Sequence, residues 1–447
     1  MNTPIIDFVR AYADKNTLRF HMPGHKGKTL IGFEELDITE ISGADSLYEA
    51  DGIIKESEKN ASELFGCDTF YSTEGASLCI RAMMYLVRLY AFQNGQSPLV
   101  LAARNAHKTF HTAVALLDIE TEWIYSGENE PYLSCSIEPA MLEKRILEMQ
   151  RRPSAVYVTS PDYLGNLQNI SALSKVCHKY GILLLVDNAH GAYLRFLPSS
   201  MHPIDLGADM CCDSAHKTLP CITGGAYLHI GKSCAPVILD NVRRALATFG
   251  STSPSYLILQ SLDAVNKHVA DGYSDILSEF VDKIAQVKHS LSLSGYIFIG
   301  SEPLKLTVLA SEYGYDGREL ADILREKNIE PEFADPDLTV MMIAPENGDY
   351  GLISLFEALL SIEKRPSLKR ERPLAVIPKR AMPIRDAMLS VSERIKAADG
   401  LGRILASPTL SCPPAVPIVV SGEIIDEASI KAFEYYGINE IEVVNEV

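Results

Sequence analysis

Short apolar runs alternate with stretches of helical spacing through the first two thirds of the chain. Four of these runs are bounded by polar residues or glycine and have the composition of buried strands: 155–159, 182–187, 208–213 and 225–230. Strands without an exposed polar face that alternate with helices are typical of a mostly parallel sheet covered on both sides. The pattern predicts an α/β fold whose ligands bind at the carboxyl ends of the strands.

Apolar residues spaced for a helix occur in several longer stretches. The predicted helices cover 4–13, 75–92 and about 107–117, and a long helical stretch covers roughly 255–293. The apolar run 98–102 precedes the third of them. The segment HMPGHKGK (21–28) is too rich in proline and glycine for a regular element, so an ordered loop is expected there.

Shifts in pattern and composition divide the chain into five parts. A basic, proline-rich stretch marks a linker, because such stretches stay extended and solvated. The predicted parts are an N-terminal segment with a helix and the HMPGHKG loop (1–60), a large domain (61–295), a small α/β domain (296–365), the linker (366–380) and a smaller α+β C-terminal domain (381–447).

Composition narrows the class of protein. The chain has 447 residues, 47% hydrophobic and 22% charged, which is ordinary for a globular protein and excludes global disorder. A net charge of −17 argues against a general nucleic-acid binder. The N-terminus lacks a secretory signal pattern, and no run of about 20 apolar residues predicts a membrane span. Nine cysteines without a CxxC pair indicate buried thiols in the cytoplasm.

Lys217 lies in the segment DSAHKTLP (213–220), directly after a predicted strand. Burial at such a position lowers the pKa of a lysine and makes its amine a nucleophile able to form a Schiff base with a carbonyl group. Ser214 and His216 flank it and have groups that donate hydrogen bonds to a phosphate. Because a lone lysine is more often a surface residue, the segment alone does not decide the matter.

Three upstream features favour a Schiff-base lysine over a surface lysine. Asp187 ends an apolar run, where a carboxylate can pair with the protonated ring nitrogen of pyridoxal 5′-phosphate. The segment STEGAS (72–77) leads directly into a helix, whose first N–H groups and dipole favour a phosphate. His107 follows another strand-like run and is suited to stack on the cofactor ring. The N–H groups expected at the phosphate are those of Gly75, Ala76 and Ser77.

With these residues in view, the chain resembles the bacterial ornithine/lysine/arginine decarboxylases of the fold-type I pyridoxal-phosphate superfamily, in the short form without an N-terminal wing domain. The resemblance extends over nearly the whole chain. The motifs that carry it are HMPGHKG, LDITE, STEGAS, RNAHKT, TSPDYLGN, VDNAHG, DSAHKTL, TSPSY and CPPAVPIVVSGE. It implies decarboxylation of arginine, lysine or ornithine to agmatine, cadaverine or putrescine and CO2.

The resemblance also implies roles for single residues. Lys217 would hold the cofactor as a Schiff base, Asp187 would pair with the pyridine nitrogen, and His107 would stack on the ring. His190 would lie against the cofactor. The residues implied around the phosphate are Ala76, Ser77, Ser214 and His216.

Three further residues complete the implied site. The TSPSY segment (252–256), with Ser253, would reach the phosphate of the neighbouring subunit, so a homodimer or higher homo-oligomer is expected. Glu332 would receive the distal cationic group of a basic amino acid. His25 of the HMPGHKG loop is a candidate substrate contact, although this loop would also suit a dimer interface.

The sequence departs from the family pattern at three places. Ala76 stands where relatives usually have a hydroxyl residue, which removes one phosphate contact. Asn188 stands where a glutamate is frequent. Cys412, Ala415 and Ser421 replace the usual tyrosine, glycine and proline of the C-terminal signature.

Several simpler interpretations stay open at this point. Asp187 would also suit a helix cap, His107 and His190 would suit core positions, and Glu332 would suit a solvated surface. His107 and His111 have zinc-ligand spacing, but no third ligand accompanies them, so core packing or cofactor contact is favoured over a metal. For the whole protein the alternatives are an aminotransferase or other lyase of the same fold, or a catalytically idle regulatory homologue.

Overall fold

The computed structural model describes residues 1–125, 130–408 and 414–445. The chain forms two compact units, each assembled from two separate stretches of sequence. The first unit consists of Met1–Ser97 and Cys177–Ser278, and the second of Pro98–Val176 and Glu279–Val447.

The strands of the described chain are short, with two to five residues each. They are β1 (Asp68–Ser72), β2 (Leu99–Ala103), β3 (Glu120–Ile124), β4 (Ala155–Thr159), β5 (Leu183–Asp187), β6 (Met210–Asp213), β7 (Ala226–Ile230), β8 (Phe298–Ile299), β9 (Lys305–Val308), β10 (Phe333–Ala334), β11 (Thr339–Met342), β12 (Ser392–Lys396), β13 (Leu405–Ser407) and β14 (Glu440–Val444).

The helices vary from single turns to 20 residues. They are α1 (Pro4–Asp14), α2 (Ile53–Phe65), α3 (Gly75–Gln93), α4 (Lys108–Leu117), α5 (Pro139–Glu148), α6 (Ile170–Lys179), α7 (Ala215–Thr218), α8 (Pro236–Leu239), α9 (Val242–Phe249), α10 (Tyr256–His268), α11 (Ser274–Leu293), α12 (Ala310–Tyr313), α13 (Gly317–Glu326), α14 (Gly348–Leu360), α15 (Ile384–Met388) and α16 (Glu427–Tyr436).

In the first unit, neighbouring strands follow the order β1-β7-β6-β5. Strands β5 and β6 are parallel, whereas β7 is antiparallel to both β6 and β1. Three of these four strands therefore point the same way. Strands β5, β6 and β7 are buried along their whole length, which is why their sequences are apolar runs without alternation.

In the second unit, β2 pairs in parallel with both β3 and β4. The same unit contains a four-stranded antiparallel sheet, β10-β11-β9-β8, and a three-stranded antiparallel sheet, β12-β14-β13. With α-helices between the strands, the predicted α/β class with a mostly parallel large sheet is confirmed. The four apolar runs predicted as strands all form strands, and three of them begin one or two residues later than expected.

The helical stretch predicted over roughly 255–293 forms two helices. It consists of α10 and α11 with an irregular turn between them, where Gly272 has φ +104° and Asp271 has ψ +29°. A left-handed glycine interrupts the helical backbone, but the apolar spacing continues on both sides of it. Periodicity therefore missed the break.

Helix α3 is long and apolar enough, by length and composition alone, to cross a membrane, which the count of consecutive apolar residues did not predict. In the described chain, 56% of the most apolar 18-residue part of this helix is buried inside the protein. Such burial is typical of a core helix.

Eight cysteines of the described chain are free thiols, and six of them are buried. The two half-buried ones are Cys221 and Cys234. The predicted buried thiol at Cys412 lies outside the described residues.

Candidate active site

The carboxyl ends of the parallel strands β5 and β6 carry the residues singled out in the sequence. Asp187 is the last residue of β5, and Asp213 is the last residue of β6. The single-turn helix α7 starts directly after Ser214 and contains Lys217. The structure thus brings VDNAHG and DSAHKTL to the same edge of one sheet, where α/β folds bind ligands.

Lys217 contacts His190 across this edge, with 3.0 Å between Nζ and Nε2. If the lysine donates this hydrogen bond, the imidazole accepts it at Nε2 and carries its proton on Nδ1. The sequence argument placed Lys217 in a buried position, but its side chain is exposed in this chain, whereas His190 is only 6% exposed. The expectation that the protein chain itself desolvates the amine is therefore wrong.

Asp187 is buried, with 3% of its surface exposed. Its Oδ1 accepts a hydrogen bond from the Ala189 N–H at 3.2 Å, and the Cys212 thiol lies 3.7 Å from the same oxygen. Because the carboxylate lies at a strand end and not ahead of a helix, the helix-cap interpretation does not describe it.

The STEGAS loop enters α3 as predicted, but one of its three N–H groups already has a partner. The Gly75 N–H donates to the Gly224 carbonyl at 2.7 Å. Gly75 has φ +67°, which favours glycine at this turn. The Gly75 N–H is therefore used within the chain, and the phosphate contacts of Gly75, Ala76 and Ser77 stay predictions.

His216 has a hydrogen-bond pattern that constrains its proposed contact with phosphate. Its Nδ1 lies 3.0 Å from the Gly225 carbonyl, which only accepts, so Nδ1 carries a proton. Burial lowers the pKa of the imidazole below its usual value. The neutral ring therefore presents an acceptor at Nε2, and donation to a phosphate from that atom requires the ring to take up a proton.

Ser253 lies in the exposed loop between α9 and α10, where its N–H donates to the Ser251 hydroxyl at 3.1 Å. The Ser251 N–H in turn donates to the Glu74 carboxylate at 2.6 Å. The TSPSY segment is thereby joined to the STEGAS loop. An exposed loop at this position is consistent with the predicted contact to a neighbouring subunit, which stays a prediction.

His107 belongs to the second unit and is the N-cap of α4. Its Nδ1 accepts a hydrogen bond from the Thr109 N–H at 3.2 Å. His111, one turn later, is fully buried, and its Nε2 lies 3.2 Å from the Ala106 carbonyl. Burial lowers the pKa of His111 to about 3, so it is a neutral core histidine.

Glu332, also in the second unit, is exposed, and its Oε1 accepts a hydrogen bond from the Tyr163 hydroxyl at 2.8 Å. Tyr163 comes from the TSPDYLGN motif and packs edge-on against Phe333, with 5.4 Å between ring centroids. Sequence reasoning did not single out Tyr163, because the two residues are far apart along the chain.

His25 in the HMPGHKG loop forms a hydrogen bond with the Asp37 carboxylate, with 3.2 Å between Nε2 and Oδ2. Its Nδ1 accepts a hydrogen bond from the Gly27 N–H at 3.0 Å. Both ring nitrogens are thus used within the loop segment. Its proposed substrate contact stays a prediction.

The C-terminal signature contacts the RNAHKT motif within the second unit. Buried Arg104 pairs with Glu423 at 3.0 Å and donates to the Pro417 and Ile418 carbonyls. The Ala415 carbonyl accepts from an N–H group at the start of α4, that of Lys108. These contacts connect the C-terminal signature to the loop that carries His107 and stabilise it.

Comparison with known proteins identifies the family. Residues 3–301 match the model of the Orn/Lys/Arg decarboxylase major domain. The chain belongs to the ornithine/lysine/arginine decarboxylase family. It is 30% identical to proteins named arginine decarboxylase from Halalkalibacterium halodurans and from Bacillus subtilis, in each case over 96% of this chain and 92% of the relative.

Solved structures support the same fold. The lysine decarboxylase of Francisella novicida superposes with a TM-score of 0.80 at 16% identity, covering 99% of this chain and 81% of that one. The Escherichia coli constitutive lysine decarboxylase gives 0.77 at 17% identity, covering 99% and 82%. The predicted fold-type I architecture is confirmed.

Members of this decarboxylase family depend on pyridoxal 5′-phosphate, and the residues present fit that cofactor. An exposed lysine amine suits an imine with the aldehyde, and the buried carboxylate of Asp187 suits a protonated ring nitrogen. The Ser214 hydroxyl and the start of α3 suit the phosphate.

Proposed function

We propose that this member of the decarboxylase family converts arginine to agmatine and CO2 with pyridoxal 5′-phosphate as cofactor. The observation that carries the proposal is the pairing of Lys217 with His190 beside Asp187, at the sheet edge of a chain that belongs to this family. Arginine is chosen because two relatives at 30% identity are named arginine decarboxylase.

Three residues of the first unit have roles in this proposal: Lys217, Asp187 and His190. The bound cofactor supplies an electron sink for the pair of electrons left when CO2 departs. Lys217 would hold the cofactor through its amine. Asp187 keeps a proton on the ring nitrogen, and His190, whose Nε2 reaches the lysine amine, holds or returns a proton at that atom.

Selectivity for a basic amino acid requires a carboxylate at the distal end of the substrate. We assign this task to Glu332, whose Oε1 is oriented by Tyr163 while Oε2 is left to pair with a guanidinium group. An amino acid without a distal cation would leave this carboxylate without its charged partner. Lysine and ornithine, with different reach, are the competing substrates.

Product analysis tests the proposal. The purified protein with pyridoxal 5′-phosphate is incubated separately with arginine, lysine and ornithine, with Lys217→Ala as control. We expect CO2 and agmatine from arginine at the highest kcat/KM, and no product from the variant. Cadaverine or putrescine as the main product would overturn the choice of substrate. Keto acid without CO2 would overturn decarboxylation.

We further propose that the active form is a homodimer with shared sites, located in the cytoplasm, whose product feeds polyamine synthesis. Large apolar side chains are concentrated on the exposed surface of the N-terminal segment: Leu18, Phe20, Met22, Leu30, Ile31 and Phe33. Such a patch is typical of a subunit interface. The exposed Ser253 loop supports a contribution to the partner's site.

A further inference from the structure

A fully buried polar cluster lies directly beneath the cofactor-binding edge of the first unit. Its centre is Asp213, which is 0% exposed. Oδ1 of this carboxylate accepts a hydrogen bond from Asn188 Nδ2 at 2.6 Å. Oδ2 lies 3.0 Å from His202 Nε2 and 3.1 Å from His229 Nε2.

The hydrogen bonds of the cluster indicate its charge. The Thr69 hydroxyl lies 2.9 Å from His229 Nδ1, so a neutral His229 accepts there and donates from Nε2. Burial lowers the pKa of His229 and keeps it neutral. Burial by itself raises the pKa of Asp213, but the two histidines outweigh it and hold that pKa well below its usual range. Asp213 is therefore an ionised acceptor.

The cluster also has the composition of a metal site, because donor atoms of His202, Cys211 and Asp213 lie within 4.8 Å of one another. However, the histidine and the carboxylate already share a direct hydrogen bond. Burial also raises the pKa of the Cys211 thiol well above its usual value, which favours the neutral, poorly ligating form. A hydrogen-bond network describes these contacts better than a metal site.

The position of the cluster connects it to the cofactor site. Asp187 and Cys212 form the last backbone pair of β5 and β6, and the Asn188–Asp213 bond continues the link by one more residue. A Cβ atom at Gly191 would lie 2.1 Å from Asn188 Oδ1, so the glycine makes room for the amide. A glutamate at position 188 would place a second carboxylate against Asp213.

We propose that Asp213 is a positioning residue that, through Asn188, fixes the separation of the strand ends carrying Asp187 and Lys217 and so preorganises the chain for pyridoxal 5′-phosphate. Asp213 directly precedes Ser214, and Asn188 directly follows Asp187. A change in the length of the Asn188–Asp213 hydrogen bond would therefore change the separation of Asp187 and Lys217, the two residues expected to hold the cofactor. The inference depends on the cofactor site and not on which amino acid is the substrate.

The chain offers a matched control at the opposite end of the same strand. Asp209 directly precedes β6, is 5% exposed, and accepts hydrogen bonds from the Leu184 N–H at 2.7 Å and from His178 Nε2 at 3.0 Å. It is also a buried carboxylate that bonds to a histidine and to the neighbouring strand. It differs from Asp213 in lying away from the edge that carries Lys217.

The test compares four variants of the full chain: Asp213→Asn, Asp209→Asn, Asn188→Asp and the exchange Asn188→Asp/Asp213→Asn. Pyridoxal 5′-phosphate is titrated into each cofactor-free protein, and its Kd is read from the visible absorption of the bound cofactor. Thermal unfolding of the same cofactor-free samples measures stability independently. Neither measurement uses substrate, so failure of the arginine assignment does not affect the result.

We expect Asp213→Asn to weaken cofactor binding by about tenfold, the usual scale for losing a hydrogen bond to an ionised group, while Asp209→Asn lowers the Tm but leaves Kd unchanged. Asn188→Asp should weaken binding further, because two carboxylates then face each other. The exchange should recover much of that loss, since donor and acceptor swap places and the new amide oxygen at position 213 still faces both histidines.

Two results would overturn the proposal. One is an unchanged Kd in Asp213→Asn. The other is a Kd that follows the Tm across all four variants, including Asp209→Asn, without recovery in the exchange, because a generally weakened fold would then explain the loss.

Discussion

At the scale of single residues, two donors that were predicted at the phosphate make hydrogen bonds within the chain. His216 was expected to donate to the phosphate, but its Nδ1 proton is directed at the Gly225 carbonyl. The Gly75 N–H was expected at the same place and bonds to Gly224. Both donors are engaged within the chain, because the loop before β7 packs against the start of α3. Residue type alone does not show which donors the fold uses internally.

Tyr163→Phe tests the orientation of Glu332. Without the hydroxyl, the carboxylate loses the hydrogen bond that holds Oε1, so we expect KM for arginine to rise about three- to tenfold, with a smaller change in kcat and no change in cofactor affinity. Steady-state kinetics and cofactor titration measure these effects. The matched control is Tyr435→Phe, which removes a 2.7 Å hydrogen bond to another carboxylate, that of Asp337. An equal rise in KM in both variants would contradict the assignment.

Ala415→Gly tests the departure from the family's C-terminal signature. Ala415 has φ +55°, a conformation that costs a residue with a Cβ atom about 1–2 kcal/mol, and the family resemblance implies glycine there. The variant should be about 1 kcal/mol more stable, because released strain exceeds the entropy that glycine gains in the unfolded chain. Chemical denaturation measures the difference. A variant less stable than the parent would show that the alanine is unstrained.

At the scale of elements, the start of helix α1 is capped by one carboxylate, that of Asp263. The N–H groups of Ile5 and Ile6 at the start of α1 donate to Asp263 Oδ2 at 3.0 and 3.1 Å, and Ser57 donates to Oδ1. Helix α1 is thereby capped by a residue of α10 and not by its own N-cap, Thr3. The helix was predictable from its apolar spacing, but its distant cap was not.

This capping carboxylate makes stability depend on pH. Burial raises the pKa of Asp263 to about 6 from 3.8, so between these values the folded chain holds a proton that the unfolded chain has released. The contribution of Asp263 therefore stabilises the fold below about pH 4 and is lost as the pH rises through about 6. We expect Asp263→Asn, which keeps an acceptor for the helix, to gain stability relative to the parent over this interval.

Urea unfolding of both proteins between pH 4 and 7 measures that difference. The gain of the variant should grow with pH and level off above about 6. Parallel stability curves for the parent and Asp263→Asn would contradict a raised pKa at this position.

At the scale of the whole molecule, the proposed shared site makes a prediction about mixed dimers. A Lys217→Ala chain lacks the amine, and a Ser253→Asp chain would repel the phosphate bound by its partner. Each homodimer should be inactive, whereas a mixed dimer has one site with both native residues. Random reassociation should therefore restore roughly a quarter of the parent activity.

Activity is measured after the two variants are dissociated together and allowed to reassociate, and light scattering gives the mass of the species formed. Each variant carried alone through the same procedure is the control. A monomeric mass, or no activity in the mixture despite mixed dimers, would contradict the shared site.

The sequence by itself predicted the buried strands and the candidate residues Lys217 and Asp187. The strands were visible because β5, β6 and β7 are buried on both faces and must be apolar throughout. Asp187 was found because it ends such a run, and Lys217 because its segment follows one. Strands β1 and β3 were missed, since each begins with an exposed acidic residue and has no continuous apolar run.

Only the tertiary structure decided which of these groups meet. The contacts between Lys217 and His190 and between Asn188 and Asp213 join residues 27 and 25 positions apart, and Tyr163 and Glu332 are separated by 169. Such pairs depend on the order and register in which strands associate, which is set by packing of the whole sheet. The local pattern of the sequence indicates whether a residue is buried or polar, but it does not indicate which distant group lies within 3 Å of that residue.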